Sequence, residues 1–302
     1  MPVIAYQSFN ANSSKNHGLS ALTLQRFTRE TNKYVTAQGH QALVLPSDTM
    51  DISTPIEGPA ELKPIETLVD KQPLTVFGSQ IALLWQNFYR EFGEMPDIMV
   101  CGEMDSSNSD FSSVVTDAKV ALTPHPAKMA CQSFTAVSQS AVASKLLFIK
   151  AGEGFVLYMV GDLIVCFVHV PNKIATSKSA VEKFYFEIAS YVNLHGAIIH
   201  VVLGDTNQPS FNFTATCLNI AFKTSAYVNA NNGSSVEKID NWNVTEKGTN
   251  STGTKMYDIA VYRSDLVQLK KETAYVSQSS SAVTITDHCG LGLNVELKKS
   301  TS

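Results

Sequence analysis

Eight polar side chains stand where apolar segments of the chain end. They are four carboxylates, two asparagine amides and two histidines: Glu103, Asp205, Asp258, Asp287, Asn10, Asn207, His169 and His288. Carboxylate and amide oxygens are the ligands that a hard divalent cation such as Mg²⁺ prefers, and histidine exchanges protons near neutral pH. The set therefore predicts metal-assisted acid–base chemistry. Zinc is disfavoured, because the five cysteines are scattered and contain no C-x-x-C pair.

The stretch 198–207, IIHVVLGDTN, places two of these side chains after one apolar segment. Isoleucine and valine dominate it up to Leu203, as in a strand that is buried on both faces, and Gly204 is expected to break that strand. Asp205 and Asn207 are two residues apart, so in an extended segment both side chains leave on the same side. The alternative is an ordinary turn, which GDTN alone favours.

A meander and a helix lead into this stretch. Residues 145–170 read as three strands joined by tight turns, and Gly161-Asp162 suits a type II′ hairpin. The third strand ends at His169, which could also be a core residue with a satisfied ring. A helix over 179–194 is expected to begin with a capping box of Ser179 and Glu182 and to stop before Gly196. Strand, helix and strand 198–203 form a βαβ-like unit.

Four more strands are predicted to carry the remaining side chains: 3–10, 97–101, 255–263 and the broken segment 282–297. Glu103 follows the second of them, and the alternative there is a solvated loop residue. Helical spacing predicts a helix over 76–92. The polar region 208–254 reads as a long loop with a helix or strand near 215–222, and its Trp242 is favoured as a loop anchor over a stacking surface.

Composition and charge narrow the class of protein. The chain has 302 residues, of which 44% are hydrophobic and 17% charged, as in an ordinary soluble globular protein. Its net charge of −4 gives no global field that would attract nucleic acid, although a local basic groove or a bound cation could do so. Charged residues interrupt the most apolar region, 146–170, so no transmembrane helix is expected. Without a basic, apolar leader, we expect a cytoplasmic or nuclear protein, or an effector exported without a classical signal.

The polar residues lie in motifs that, in their order, resemble those of the exonuclease/endonuclease/phosphatase superfamily of metal-dependent phosphoesterases, the DNase I-like proteins. The matching segments are SFNAN, PDIMVCGE, FVHVP, GDTN, MYDIAV and TDHCGL, and they span nearly the whole chain. Two departures stand out. Gly102 occupies the place where glutamine is usual, and the interval from Asn10 to Glu103 is far longer than the family's norm. An insertion at about 15–73 is therefore expected, and Gln7 or Asn12 competes with Asn10 as the first-strand amide.

The resemblance implies an α/β fold, a four-layer sandwich of two packed mixed β-sheets flanked by helices, in a single domain over 1–302. It also implies that Glu103, Asn10 and Asp287 serve a bound Mg²⁺ or Mn²⁺. Asp205 and Asn207 would position or activate water, while His288, oriented by Asp258, acts on the phosphate. His169 would donate to a non-bridging oxygen. Which of Asp205 and His288 takes the water's proton stays open at this point.

The same resemblance implies a hydrolase that acts on a phosphodiester, and a nuclease or DNA phosphodiesterase is favoured. The alternatives are a phosphatase of inositol phosphates or phosphoinositides, and a sphingomyelinase-like phospholipid hydrolase. A non-catalytic binding protein on the same fold is disfavoured, because no catalytic motif is broken. The sequence shows neither a strong basic patch nor a Trp-rich apolar loop, and it identifies no protein partner.

Overall fold

The computed structural model describes residues 2–8, 88–89, 92–104, 120–129, 132–139, 142–208, 213–230, 257–276, 279–280, 283–284 and 288–299. In chain order its strands are β1 (Val3–Ser8), β2 (Ile98–Gly102), β3 (Val120–His125), β4 (Phe134–Gln139), β5 (Leu146–Gly152), β6 (Phe155–Val160), β7 (Leu163–His169), β8 (Val201–Asp205), β9 (Tyr227–Asn229), β10 (Asp258–Arg263), β11 (Val267–Val276), β12 (Ser279–Ser280), β13 (Val283–Thr284) and β14 (Gly290–Leu297). The helices are α1 (Asn172–Ala175), α2 (Lys178–Leu194) and α3 (Phe213–Ala221).

Two mixed six-stranded sheets make up the body of the described residues. The first sheet has the order β11-β14-β1-β2-β4-β3, and the second has the order β5-β6-β7-β8-β10-β9. Each sheet has a parallel pair at its centre, β1 with β2 and β7 with β8, and an antiparallel strand beside that pair. The carboxyl ends of the parallel strands and the start of their antiparallel neighbour therefore share one edge in each sheet.

The faces of the two sheets that meet bury one apolar core. Alternate residues of the central strands point into it, as the period of two requires: Ile4, Tyr6, Ile98, Val100, Val165, Phe167, Val201 and Leu203. All eight are at most 1% exposed. Each large apolar side chain buried in this way contributes about 1.5–3 kcal/mol.

Helices α2 and α3 cover the outer face of the second sheet. The buried stripe of α2 recurs at three- and four-residue spacing and packs with α3 on the second sheet through Val181, Phe184, Ile188 and Val192. Across the molecule, Phe92 and Phe88 fill the space over Gly292 in β14. The predicted four-layer α/β sandwich with two packed mixed sheets is confirmed. None of the helices among the described residues is long and apolar enough to cross a membrane.

The start of α2 differs from the predicted capping box. The N-cap is Ser177, not Ser179, and its Oγ accepts a hydrogen bond from Ala180 N at 3.4 Å. Ser177 has the extended conformation that a cap requires, so the helix begins at Lys178. The predicted end is confirmed, because Gly196 follows the helix with φ +64°.

The central strand also differs from its prediction. We expected a strand over 198–203 that Gly204 would break, but β8 runs from Val201 to Asp205 and includes the glycine. Several strands were not predicted, namely β3, β4, β9, β11 and β12, and β9 lies within the region expected to be a loop. The predicted insertion at 15–73, most of the predicted helix 76–92, and Trp242 lie outside the described residues.

Candidate active site

Three neighbouring strands of the second sheet bring three of the predicted side chains into one row. His169 ends β7 and pairs with Asp205, which ends β8, and Asp205 in turn pairs with Asp258 at the start of β10. The βαβ connection through α2 makes β7 and β8 parallel, so both strands end at the same edge. His169 is 4% exposed, Asp205 2% and Asp258 0%. Local sheet pairing thus fixes a row in the order histidine, acid, acid.

Gly204 is required where it precedes Asp205. Its φ is +148°, and a Cβ there would lie 1.9 Å from the carbonyl oxygen of Val168 in β7. Only a residue without a side chain lets β8 approach β7 this closely. The glycine therefore does not break the strand as expected. It lets the strand carry Asp205 to the rim, which is the end of the two sheets where the candidate site residues gather.

Asn207 forms the turn after β8 and faces the same rim. Its φ is +51°, a left-handed conformation that asparagine tolerates. Its backbone N–H donates to Asp205 Oδ1 at 2.8 Å, and its side-chain Nδ2 donates to Val170 O at 3.0 Å. Nδ2 also lies 3.4 Å from His169 Nε2. The predicted Asp/Asn turn is present, and it holds Asp205 and Asn207 beside His169, while the role of these side chains in a functional site stays a prediction.

The first sheet presents Glu103 directly after β2. This residue has a left-handed φ of +58°, which is unfavourable for a side chain other than glycine, asparagine or aspartate and is a form of strain found at functional sites. Glu103 Oε1 lies 3.0 Å from His169 Nε2, so the carboxylate reaches across to the second sheet. The Glu103 side chain is 19% exposed, against 3% for Asp205. Glu103 is the more accessible of these two acids.

His288, just before β14, joins the two sheets. Its Nδ1 lies 2.7 Å from Asp258 Oδ2, and its Nε2 lies 3.8 Å from Asp205 Oδ2. A carboxylate that accepts from Nδ1–H selects the tautomer that turns Nε2 toward Asp205. The arrangement resembles the usual way in which an acid orients a histidine for proton transfer.

Gln7 is the amide that the described residues bring to this place. It is fully buried near the end of β1, and its Nε2 donates to the carbonyl oxygen of His288 at 3.2 Å and to Ser8 O at 2.8 Å. The sequence favoured Asn10 and kept Gln7 as a competitor. Asn10 and Asp287 both lie outside the described residues, so their predicted metal roles stay predictions.

The donor set fits a hard divalent cation. Glu103, Asp205 and Asp258 gather at one rim, where they form ion pairs with His169 and His288. Buried carboxylates repel one another, and a bound cation lowers the free energy of that repulsion. Asp205, Asp258 and His288 also offer ligand atoms within 4.8 Å of one another. However, the hydrogen bond between His288 and Asp258 suits proton transfer better than ligation, which leaves Glu103 as the best-placed ligand.

Two buried residues near the site escaped the sequence interpretation. Burial raises the pKa of Tyr6 well above its usual value, and the charges of Asp205, Asp258 and Glu103 raise it further. Burial and the charge of Asp258 likewise raise the pKa of Cys289, so its thiol stays protonated and is no nucleophile. No local pattern in the sequence marks either residue, since each reads as an ordinary core position.

Comparisons with known proteins bear on the fold. No protein-family model matches the chain, and no curated protein matches it by sequence. By structure, it is similar to a functionally unknown conserved protein from Enterococcus faecalis V583, with a TM-score of 0.52, 10% identity, and coverage of 98% of this chain and 100% of that one. That likeness covers 98% of this chain and all of the other, and it shows a shared fold.

Two further solved structures are similar at lower scores. One is a mannosyl-6-phosphatase from Bacteroides thetaiotaomicron VPI-5482, with a TM-score of 0.48, 10% identity, and coverage of 98% of this chain and 100% of that one. The other is a humanized D. rerio TDP2, with a TM-score of 0.49, 10% identity and 98% coverage of both chains.

Proposed function

We propose that this chain, which has the DNase I-like fold of the exonuclease/endonuclease/phosphatase superfamily, is a divalent-metal-dependent phosphodiester hydrolase. One observation carries the proposal. His288 from the first sheet contacts Asp258 at 2.7 Å and faces Asp205 at 3.8 Å on the second. An oriented histidine and a separate carboxylate that face one space are the groups that hydrolysis of a phosphate ester requires.

In the proposed reaction, Asp205 orients and deprotonates the attacking water. The water oxygen forms a bond to phosphorus, and its proton passes to the Asp205 carboxylate. The bond from phosphorus to the leaving oxygen breaks, and the leaving oxygen keeps the electron pair and takes a proton from solvent. The hydrogen bond from Asn207 N to Asp205 Oδ1 fixes the carboxylate, so that Oδ2 is the oxygen that faces the histidines. Such positioning lowers the entropic part of the barrier.

The two histidines act on the phosphate. His288, held by Asp258, donates from Nε2 to a phosphoryl oxygen in its charged form, and Asp258 stabilises that charge. His169 donates to a non-bridging oxygen. Its Nε2 lies 3.0 Å from Glu103 Oε1 and 3.9 Å from Asp205 Oδ2, so this nitrogen already points into the cluster of acids.

Glu103 would hold Mg²⁺ or Mn²⁺ together with the amide of Gln7 or Asn10, and Asp287 would support the ion or its water. When bound, such an ion neutralises phosphate charge and stabilises the pentavalent transition state. The partial exposure of the Glu103 side chain gives an ion access from solvent.

DNA is the substrate that we propose, because the breadth of the superfamily that the sequence resembles favours a nuclease or DNA phosphodiesterase. The chain's net charge of −4 means that a bound cation or local groove must supply the attraction. Binding to DNA should therefore weaken with salt and strengthen with the divalent ion. Phosphoinositides, inositol phosphates and sphingomyelin are the alternative substrates that the same chemistry would accept.

Hydrolysis of supercoiled plasmid DNA tests the proposal. We expect nicking with Mg²⁺ or Mn²⁺, none with EDTA, and loss of about 10²–10⁴ in rate for both Asp205→Ala and His288→Ala. His195→Ala, at the exposed end of α2, is the matched control and should keep full activity. Full activity in both site variants would overturn the proposed centre.

A folded protein that leaves DNA intact should then be offered the phosphoinositide, inositol phosphate and sphingomyelin substrates. Hydrolysis of one of them, lost in the same two variants, would change the proposed substrate but support the same catalytic residues. A failure on every phosphoester would favour a non-catalytic binding protein.

A further inference from the structure

Gly102 and Tyr6 occupy one space beneath the candidate site. A Cβ added at Gly102 would lie 2.1 Å from the Tyr6 hydroxyl oxygen and 2.9 Å from Tyr6 Cζ. Real Cβ atoms do not approach other atoms this closely, so any side chain at position 102 would displace the tyrosine. This is the position at which the chain departs from the glutamine of the motif that it resembles.

The Tyr6 ring has no room to move aside. It is 0% exposed, and it lies in the core between the two sheets with Phe134, Phe167 and Leu203. Its strand, β1, is central in the first sheet, with Tyr6 opposite Val100 on one side and Leu291 on the other. The ring is therefore held from both sheets.

The Tyr6 hydroxyl points to the underside of the rim. It lies near the backbone of Asp205, and it has no hydrogen-bond partner among the described residues. Buried hydroxyls are almost always hydrogen-bonded, so one that is not calls for an explanation. Burial raises the pKa of the Tyr6 hydroxyl, and the charges of Asp205, Asp258 and Glu103 raise it further.

We infer that Tyr6 is a positioning residue of the candidate site, and that Gly102 is a glycine in order to admit its hydroxyl. The ring spans from β1 to β8, and β2 beside it presents Glu103. It sets the separation between Glu103 on the first sheet and Asp205 on the second. The expected effect of Tyr6 on catalysis rests on the proposed function. The packing of Tyr6 against Gly102 does not.

The first test compares Tyr6→Phe with Tyr185→Phe. Tyr185 is the matched control, since it is also fully buried and its hydroxyl lies 3.1 Å from Thr214 Oγ1 in the other core. On the substrate identified above, we expect Tyr6→Phe to lower kcat by about tenfold, with KM changed by less than about twofold. The ratio of the Tyr6→Phe kcat to the wild-type kcat should stay constant from about pH 6 to pH 9, because a protonated phenol does not titrate there. An unchanged kcat would overturn the inference.

The second test needs no turnover. Gly102→Ala should lower Tm strongly, and adding Tyr6→Phe should raise it again, because the atom nearest to the new Cβ is then gone. Mn²⁺ affinity, measured by electron paramagnetic resonance, should fall by about tenfold in Tyr6→Phe and not in Tyr185→Phe. If no phosphoester is hydrolysed, the proposed function fails but these two readouts still decide on Tyr6. Additive Tm losses, or equal Mn²⁺ binding in wild type and Tyr6→Phe, would overturn the inference.

Discussion

The two sheets hold their polar side chains at the shared rim in different ways. On the second sheet, His169, Asp205 and Asp258 are members of paired strands and lie in consecutive register. On the first sheet, Glu103 follows β2 and His288 precedes β14, so neither is inside a strand. Backbone pairing fixes the second rim, whereas the first rim depends on contacts that its side chains make across the gap.

The two rims also differ in exposure, and we expect a different function of each. The second rim is almost fully buried, while the Glu103 and His288 side chains are 19% and 11% exposed. Groups that must orient a water benefit from a rigid strand, and groups that must admit an ion or follow a phosphate benefit from access. We therefore expect changes in the second rim or in His288 to abolish function, and changes in Glu103 or Gln7 to shift metal dependence.

The largest effect should come from Asp258→Asn. The amide can donate to His288 Nδ1 and so favour the tautomer with its proton on the wrong nitrogen. Loss of that orientation should reduce kcat by about 10²–10⁴-fold with the fold retained. A rate assay paired with a circular dichroism spectrum checks it, and a fully active Asp258→Asn protein would show that the second rim does not orient His288.

Gly204→Ala should damage the second rim through its backbone. The new Cβ would meet the Val168 carbonyl at 1.9 Å, and φ is +148°, so we expect a loss of about 2–4 kcal/mol in the free energy of unfolding. The matched control is Gly161→Ala, where φ is +59° but nothing lies within 4 Å, and it should cost about 1 kcal/mol. Denaturant titration of both variants measures the difference. Equal losses would mean that the close approach of β8 to β7 is not the constraint.

A milder effect is expected on the first rim from Gln7→Ala. The variant removes the donor to the His288 carbonyl and an amide that could serve the ion. Half-saturation by Mn²⁺ should rise by about 10–100-fold, with a smaller change in kcat at saturating metal. Measuring rate against Mn²⁺ concentration separates the two quantities. An unchanged metal dependence would assign the amide role to Asn10 instead.

The smallest effect concerns His200, at the end of the β7–β8 pair that lies away from the rim. Its Nδ1 accepts from Ile164 N at 2.9 Å, and burial followed by the charge of Arg263 lowers its pKa. A histidine with a lowered pKa in the folded state is neutral there while the unfolded chain takes up a proton. The free energy of unfolding should therefore fall as pH drops below about 6.5.

His200→Asn keeps an acceptor without the titration and should flatten that pH dependence while leaving catalysis unchanged. Chemical denaturation at several pH values between about 5 and 8 gives the comparison. His125, whose pKa is also lowered by burial, contributes in the same direction and should leave a residual slope. If the free energy of unfolding of His200→Asn depends on pH as steeply as that of wild type, His200 does not contribute to this dependence.

The sequence predicted the second rim well because its signals are local. GDTN follows an apolar run, and the strand–helix–strand order makes β7 and β8 parallel neighbours. The contact between His288 and Asp258 joins residues 30 positions apart and leaves no periodic trace, so only the resemblance implied it. The pairing of Tyr6 with Gly102 likewise depends on packing between strands.

The strands that were missed lack the simple alternation on which prediction relies. Strand β9 has only three residues. In β11, register shifts between Leu269 and Lys271 and between Lys271 and Ala274 break the period of two. The N-cap of α2 was misplaced because two serines, Ser177 and Ser179, both suit a helix start. Backbone conformation decides between such candidates, and sequence pattern does not.

The most direct test of the central claim, that the two rims form one catalytic centre, is a double-mutant cycle across the gap. Rates of Asp205→Ala, His288→Ala and the double variant would be measured on one phosphodiester at saturating Mn²⁺. Because the two groups face the same space at 3.8 Å, we predict that the double variant is slower than the worse single variant by no more than about tenfold. Losses that multiply fully would show two independent groups and contradict a shared centre.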